Sequence, residues 1–452
     1  MQIGLHHVSL PGFGVPEEQP TIPTAEYDDR ARRLYAAADA DWVVVYGDRE
    51  HYANLTWLSG FDPRFEESLL LLGPGDQRVL VVGNEDVGYA PVAGLPAEVI
   101  LYQPFSLMAQ PRGSSPKLAD LLRNVGLGPG VRVGVVGWKY FDQAEEDVQE
   151  LPPFVPAFVV ETLHRVTGAA PSDITAVLMH PAQGLRARNS VAQVAVFEWA
   201  AARASAAVLR VVRATKPGMT EFAAMGAMVY QGEPMVCHPV FASGNGQLIG
   251  LRSPSARRIT PGDVAVVAVG YWGGLSCRAG LVTEEPDDDF FNTLVRPYYT
   301  AIALWYSTVK VGVSGDEVYQ PITESLASAG LRPFLNPGHL TSYEEWLHSP
   351  IDEGSEMQLA SGMALQCDII PTPVPDGRFI NCEDTIVLAD DELRQELKRE
   401  HPEVWRRIEA RRTFMRDELG LQPGPDVLPL STMPAYLPPY WLNNTLVCTV
   451  GE

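Results

Sequence analysis

The spacing of apolar and polar residues changes period several times along the chain. "DRARRLYAAADA" places its apolar positions as a helix does, "DWVVVYG" is a short apolar run that predicts a buried strand, and "ESLLLLGPGDQRVLVVG" predicts two strands around a Gly-Pro-Gly turn. Between the first two strands "YANLTWLSGF" predicts a turn-rich crossing. A second round follows, with "KLADLLRNVGLGPG" as helix and stop and "VRVGVVGW" as strand. This rhythm predicts a compact α/β unit.

The stretch "APSDITAVLMHPAQGLRARNS" breaks the rhythm, and the longest helical pattern, about 191–215, follows it and ends at "KPGMTE". A boundary near Gly184 divides the chain into an N-terminal domain, 1–184, and a C-terminal domain, 185–452. In the second, "RRITPGDVAVVAVGYWGGLSCRAGLVTE" predicts paired strands, and "FFNTLVRPYYTAIALWYSTV" and "GDEVYQPITESLASAG" predict helices. "MALQCDIIPTPVPDGRFINCEDTIVL" returns to strands, and "PGPDVLPLSTMPAYLPPYW" predicts an extended, Pro-rich segment. The fold class expected is α/β (α+β), in two domains.

Composition narrows the function. At 452 residues the chain is long enough for two cores. A formal charge of −22 repels nucleic acid and anionic membranes, so neither is an expected partner. The five cysteines form no CxxC pair, which argues for reduced thiols rather than disulfides or a zinc ribbon. The N-terminus lacks the pattern of a signal peptide and no apolar run is long enough to span a bilayer, so the expected location is cytoplasmic. No G-x-S-x-G elbow is present, and none of the five lysines suggests a Schiff base.

The more specific signal is an ordered set in the second half: "LRARNSVAQVAVFEWAAARASAAV", "ATKPGMTEFA", "RSPSARRITPGDVAVVAVG", "GGLSCRAGLV", "NPGHLTSYEEWLHSP", "SGMALQCDIIPTP" and "GRFINCEDTIVL". In order and spacing it resembles the creatinase, prolidase and aminopeptidase P family, the two-domain branch of the pita-bread metallopeptidases. The stretch "LYAAADADWVVVYGDREHYANLTWLSGF" is similar to that family's N-terminal domain.

The resemblance implies a site position by position. The family's G-D-x-V-x-x-D-x-G strand supplies a metal-binding aspartate, and "GDVAVVAVG" has Ala268 there. The next strand supplies a bridging aspartate; with the turn one residue shorter than usual Arg278 takes its place, and without that deletion Ala279 does. Arg252 of "RSP" stands where a family histidine is expected. His339 matches the metal-binding histidine, His348 matches the assisting histidine at a displacement of two residues, Asp368 replaces a glutamate, and Glu383 retains the last one. Considered singly, His339 and His348 are ordinary loop histidines and Glu383 an ordinary acid; the matching order singles them out.

Without both aspartates, a two-metal centre is not expected. Arg278 is expected to bridge Asp368 and Glu383 in place of metal, so neither metal nor other cofactor is anticipated, although His339, Asp368 and Glu383 form an acceptable set for one ion. The resemblance thus implies a metal-independent hydrolase of a small amide, guanidino or peptide-like substrate, with His339, His348 and Glu383 catalytic and Arg252, Arg278 and Asp368 binding substrate. Two alternatives stand beside it: a non-catalytic binding or scaffolding descendant, and a mononuclear Xaa-Pro peptidase-like metalloenzyme. The family also implies a homodimer.

Overall fold

The computed structural model describes residues 1–141, 145, 151–247 and 250–451, and the chain forms two compact units, Ile22–Ala187 and Met1–Thr21 with Arg188–Glu452. The first 21 residues therefore belong with the C-terminal part rather than with the domain assigned to them by sequence. The cause is strand β1 (Gln2–His7), which pairs antiparallel with the last strand of the chain, Leu446–Gly451.

The Ile22–Ala187 unit is built on six strands: β2 (Trp42–Gly47), β3 (Ser68–Gly73), β4 (Gln77–Val82), β5 (Glu98–Leu101), β6 (Val133–Val136) and β7 (Ser172–Asp173). Their order is β5-β4-β3-β2-β6-β7, with β2, β3 and β4 antiparallel and the outer pairings parallel. Both predicted helices form, at Thr24–Ala37 and Leu118–Val125. "YANLTWLSGF" is a helix, Ala53–Ser59, where the sequence suggested a crossing. Asn54 through Ser59 are all buried, so the helix has no polar face to reveal its period.

The other unit holds β8 (Val240–Gly244), β9 (Val264–Tyr271), β10 (Gly274–Leu281), β11 (Arg332–Pro333), β12 (His339–Leu340), β13 (Ala364–Cys367), β14 (Pro371–Thr372), β15 (Asn381–Leu388), β16 (Val427–Pro429) and β17 (Leu446–Gly451). Its main sheet runs β12-β13-β15-β10-β9-β8, with β16 also paired to β15, and every pairing is antiparallel. The long helix Val191–Ala214 opens after Ser190, whose side chain accepts the Gln193 amide, and buries most of its length. Helices also form at Arg296–Thr308 and at Gly315–Ala327, the latter opened by a Ser314–Glu317 capping box. Among the described residues no helix is long and apolar enough to cross a membrane.

Candidate functional site

The β9–β10 hairpin fixes which residues face the candidate site. Tyr271 pairs with Gly274, which leaves a two-residue turn, Trp272–Gly273. Gly273 has φ +106, and a Cβ there would lie 2.0 Å from the Phe197 ring, so only glycine closes this turn as it stands. With the turn fixed, Cys277 pairs with Ala268 on one side and with Glu383 of β15 on the other. Directly paired residues share a sheet face, so Ala268, Cys277 and Glu383 point the same way and Arg278 points the opposite way.

This corrects the expected role of Arg278. Its guanidinium donates through Nε to the Tyr436 carbonyl (2.8 Å) and through Nη1 to the Cys277 and Glu383 carbonyls (2.7 and 3.0 Å). Through Nη2 it donates to the Met433 carbonyl and to Asp384 Oδ2 (2.6 and 2.7 Å). All five donors are used at a fully buried position, and none reaches the side-chain carboxylate of Asp368 or Glu383. Asp384 is held further by the Ala435 amide (2.9 Å) and the Ser276 hydroxyl (3.2 Å). The ion-free site expected from an Arg278 bridge loses its physical basis.

On the face of Glu383, β12 presents His339 and the following loop doubles back on it. The Leu340 amide donates to the His348 carbonyl (2.7 Å) and the Leu347 amide to the Leu340 carbonyl (2.9 Å), closing the loop. Its return brings Glu345 Oε1 to 3.0 Å from His339 Nε2 and lays Trp346 on the imidazole, ring centroids 4.0 Å apart. Asp368 Oδ2, just past β13, is 4.0 Å from the same nitrogen. One ligand atom each from His339, Glu345 and Glu383 lies within 4.8 Å of the other two.

His339 Nδ1 lies 3.2 Å from the Leu340 carbonyl, which can only accept. The ring therefore donates through Nδ1 and turns Nε2 toward the acids. At this site His339 Nε2, Asp368 Oδ1, Glu383 Oε1 and Asn381 Oδ1 are buried without an aligned hydrogen bond. Burial, with Asp368 and Glu345 nearby, holds the Glu383 carboxyl well above its ordinary range. Burial also pushes Asp368 up to about 6, the His339 charge opposing it and Glu345 adding to it. For His339, burial works against the charge, but Glu345 and Asp368 outweigh it and raise its pKa.

The remaining expected residues make other contacts. Arg252 Nη2 donates to Glu221 Oε1 at 2.7 Å, and the buried Glu221 also receives the amides and hydroxyls of Ser243 and Ser255. Arg252 thus helps clasp the helix Glu221–Met225 to β8. His348 accepts the Ser349 amide at Nδ1 (2.9 Å); its place against His339 is taken by Trp346, two residues earlier. Of the expected six, His339, Asp368 and Glu383 converge. Glu345 and Cys277 were missed: Glu345 sits in the quoted "TSYEEWLHSP" with nothing to distinguish it from Glu344, whereas pairing parity across "YWGG" indicates Cys277.

Two-strand geometry, a His on β12 and a Glu on β15 are what the family comparison meets. Residues 197–390 match the sequence model of metallopeptidase family M24. This agrees with the resemblance to the creatinase, prolidase and aminopeptidase P family, and solved structures extend the likeness of fold. Among them are an Xaa-Pro dipeptidase from Bacillus anthracis (16% identity, TM-score 0.61, 82% of this chain and 96% of that one) and an X-Pro aminopeptidase from Thermotoga maritima (16%, 0.61, 80% and 95%). A dipeptidase from Mycobacterium ulcerans is 22% identical, with TM-score 0.57 over 81% of this chain and 94% of that one. A search of curated proteins finds no match.

The two-metal centre implied by the M24 resemblance does not fit this chain. Its strand pair would need carboxylates facing Glu383, and the residues facing it are Ala268 and Cys277. The strand pair supplies no acid to help hold two ions side by side.

Proposed function

We propose that this chain is a hydrolase of small amide or peptide-like substrates whose reaction centre is the His339–Glu345–Asp368–Glu383 cluster, working without a two-metal centre. One observation carries the reading: buried polar atoms of His339, Asp368 and Glu383, all inside the segment that matches the M24 model, converge without an aligned hydrogen bond. Burying such groups unpaired costs stability, and sites where this is tolerated are commonly functional. The relatives of similar fold named as Xaa-Pro dipeptidase and X-Pro aminopeptidase suggest Xaa-Pro peptides as the first substrates to assay. Simple amides and guanidino compounds complete the panel.

The residues support a division of work. The carboxyl of Asp368, beside the imidazole and outside the tight group of three, is placed to exchange a proton with the reacting amide. Trp346 covers one face of the imidazole and limits the approach of water from that side. Arg278 supports the site from behind by fixing β10 to β15 through the Glu383 carbonyl.

The test is hydrolysis of that panel by purified protein, with Asp368→Asn and Glu383→Gln as comparisons. Turnover lost at least a hundredfold in both variants supports the reading. A second reading, binding without turnover, is favoured by the loss of both strand-pair acids; saturable binding of a panel member with no product over days would select it.

A further inference from the structure

The cluster gathers more carboxyl groups than the protein itself pairs with basic side chains. Glu345, Asp368 and Glu383 face one imidazole, and among the described residues no lysine or arginine pairs with any of the three. The one buried guanidinium nearby is spent on Asp384, across the sheet. The spacing also limits the occupant. Three ligand atoms within 4.8 Å of one another leave room for one small cationic centre among them.

We propose that one divalent cation binds between His339 Nε2 and the carboxylates of Glu345 and Glu383. Two atoms on one ion at about 2.1 Å each lie roughly 3–4 Å apart. His339 Nε2 and Glu345 Oε1 are already 3.0 Å apart, and the third ligand atom, within 4.8 Å of both, needs to close by at most about 1–2 Å. The imidazole is prepared for the task. Its Nδ1 is turned to the Leu340 carbonyl, the outer contact that orients metal-ligating histidines and leaves Nε2 as the ligand. One nitrogen and two carboxylates suit manganese, cobalt or zinc. Glu345 is what sets this site apart: it comes from the loop after β12, not from the strand pair, and it supplies a carboxylate that Ala268 and Cys277 do not.

This inference takes its location from the proposed reaction centre but does not need catalysis. Protein stripped with chelator and dialysed is titrated calorimetrically with Mn²⁺, Zn²⁺ and Co²⁺, and the visible absorption of the Co²⁺ form is recorded. One equivalent per chain is expected, with Glu345→Gln and Glu383→Gln each weakening binding at least tenfold and Glu344→Gln leaving it unchanged. The Co²⁺ bands should move in His339→Ala as a nitrogen ligand is lost. Gln is isosteric with Glu, and circular dichroism checks that each variant is folded. Absence of heat and of Co²⁺ bands, two equivalents, or binding indifferent to Glu345→Gln overturns the inference. One equivalent bound with no hydrolysis sustains it while removing the hydrolase reading. Full hydrolysis with no titratable ion does the reverse.

Discussion

Arg278 shows how one residue's direction changes a functional account. Read as a replacement for a metal-binding aspartate, it would neutralise Asp368 and Glu383; in the structure it closes a network with Asp384 and four backbone carbonyls. Arg278→Ala should cost about 3–5 kcal/mol in urea unfolding, because Asp384 stays buried without its partner. Cation binding by the folded fraction should be unchanged, since the side chain faces away from the cluster. A variant as stable as the parent would show that the network adds nothing. At this scale the sequence was informative for His339, Asp368 and Glu383, which sit in an ordered series of motifs. It was silent on Glu345, whose place depends on how the loop from Thr341 to Leu347 folds back.

At the scale of elements, the β9–β10 hairpin decides which side chains share the face of Glu383. A two-residue turn sets the register, and a shift of one residue exchanges the faces, so Arg278 and Cys277 could be ordered only once the turn length was known. The double variant Ala268→Asp/Cys277→Asp places two acids opposite one another and on the face of Glu383. It should raise bound manganese from one to two equivalents per chain by elemental analysis, whereas Arg278→Asp should not. A double variant that stays at one equivalent would contradict the assigned faces. Most elements were legible because their period is local: the helix Val191–Ala214 and strands β9 and β10 fall where the pattern puts them. The exceptions have physical causes. The helix Ala53–Ser59 is buried along most of its length and shows no stripe, and β1 has its partner in β17 at the far end of the chain, beyond any local signal.

At the scale of the molecule, stability should fall with rising pH through a group in the other unit. Asp86, in the Ile22–Ala187 unit, is pushed up to about 7 by burial and by the charges of Glu66 and Asp62. Its pKa is higher folded than unfolded, so the folded state binds the extra proton; the stabilisation is complete below about pH 4 and lost as pH rises through about 7. Asp86→Asn should flatten that decline by at most about 4 kcal/mol in pH-dependent unfolding, and an unchanged slope would refute the assignment. The family resemblance leads us to expect a homodimer in sedimentation at micromolar concentration; a monomer would count against it. A one-cation site formed by His339, Glu345 and Glu383, where the strand pair supplies no acid, is checked by anomalous diffraction from crystals grown with manganese. The account predicts one peak per chain, between His339 Nε2 and the two glutamate carboxylates. Two peaks side by side against β9 and β10, or none at the cluster with manganese in excess, would contradict it.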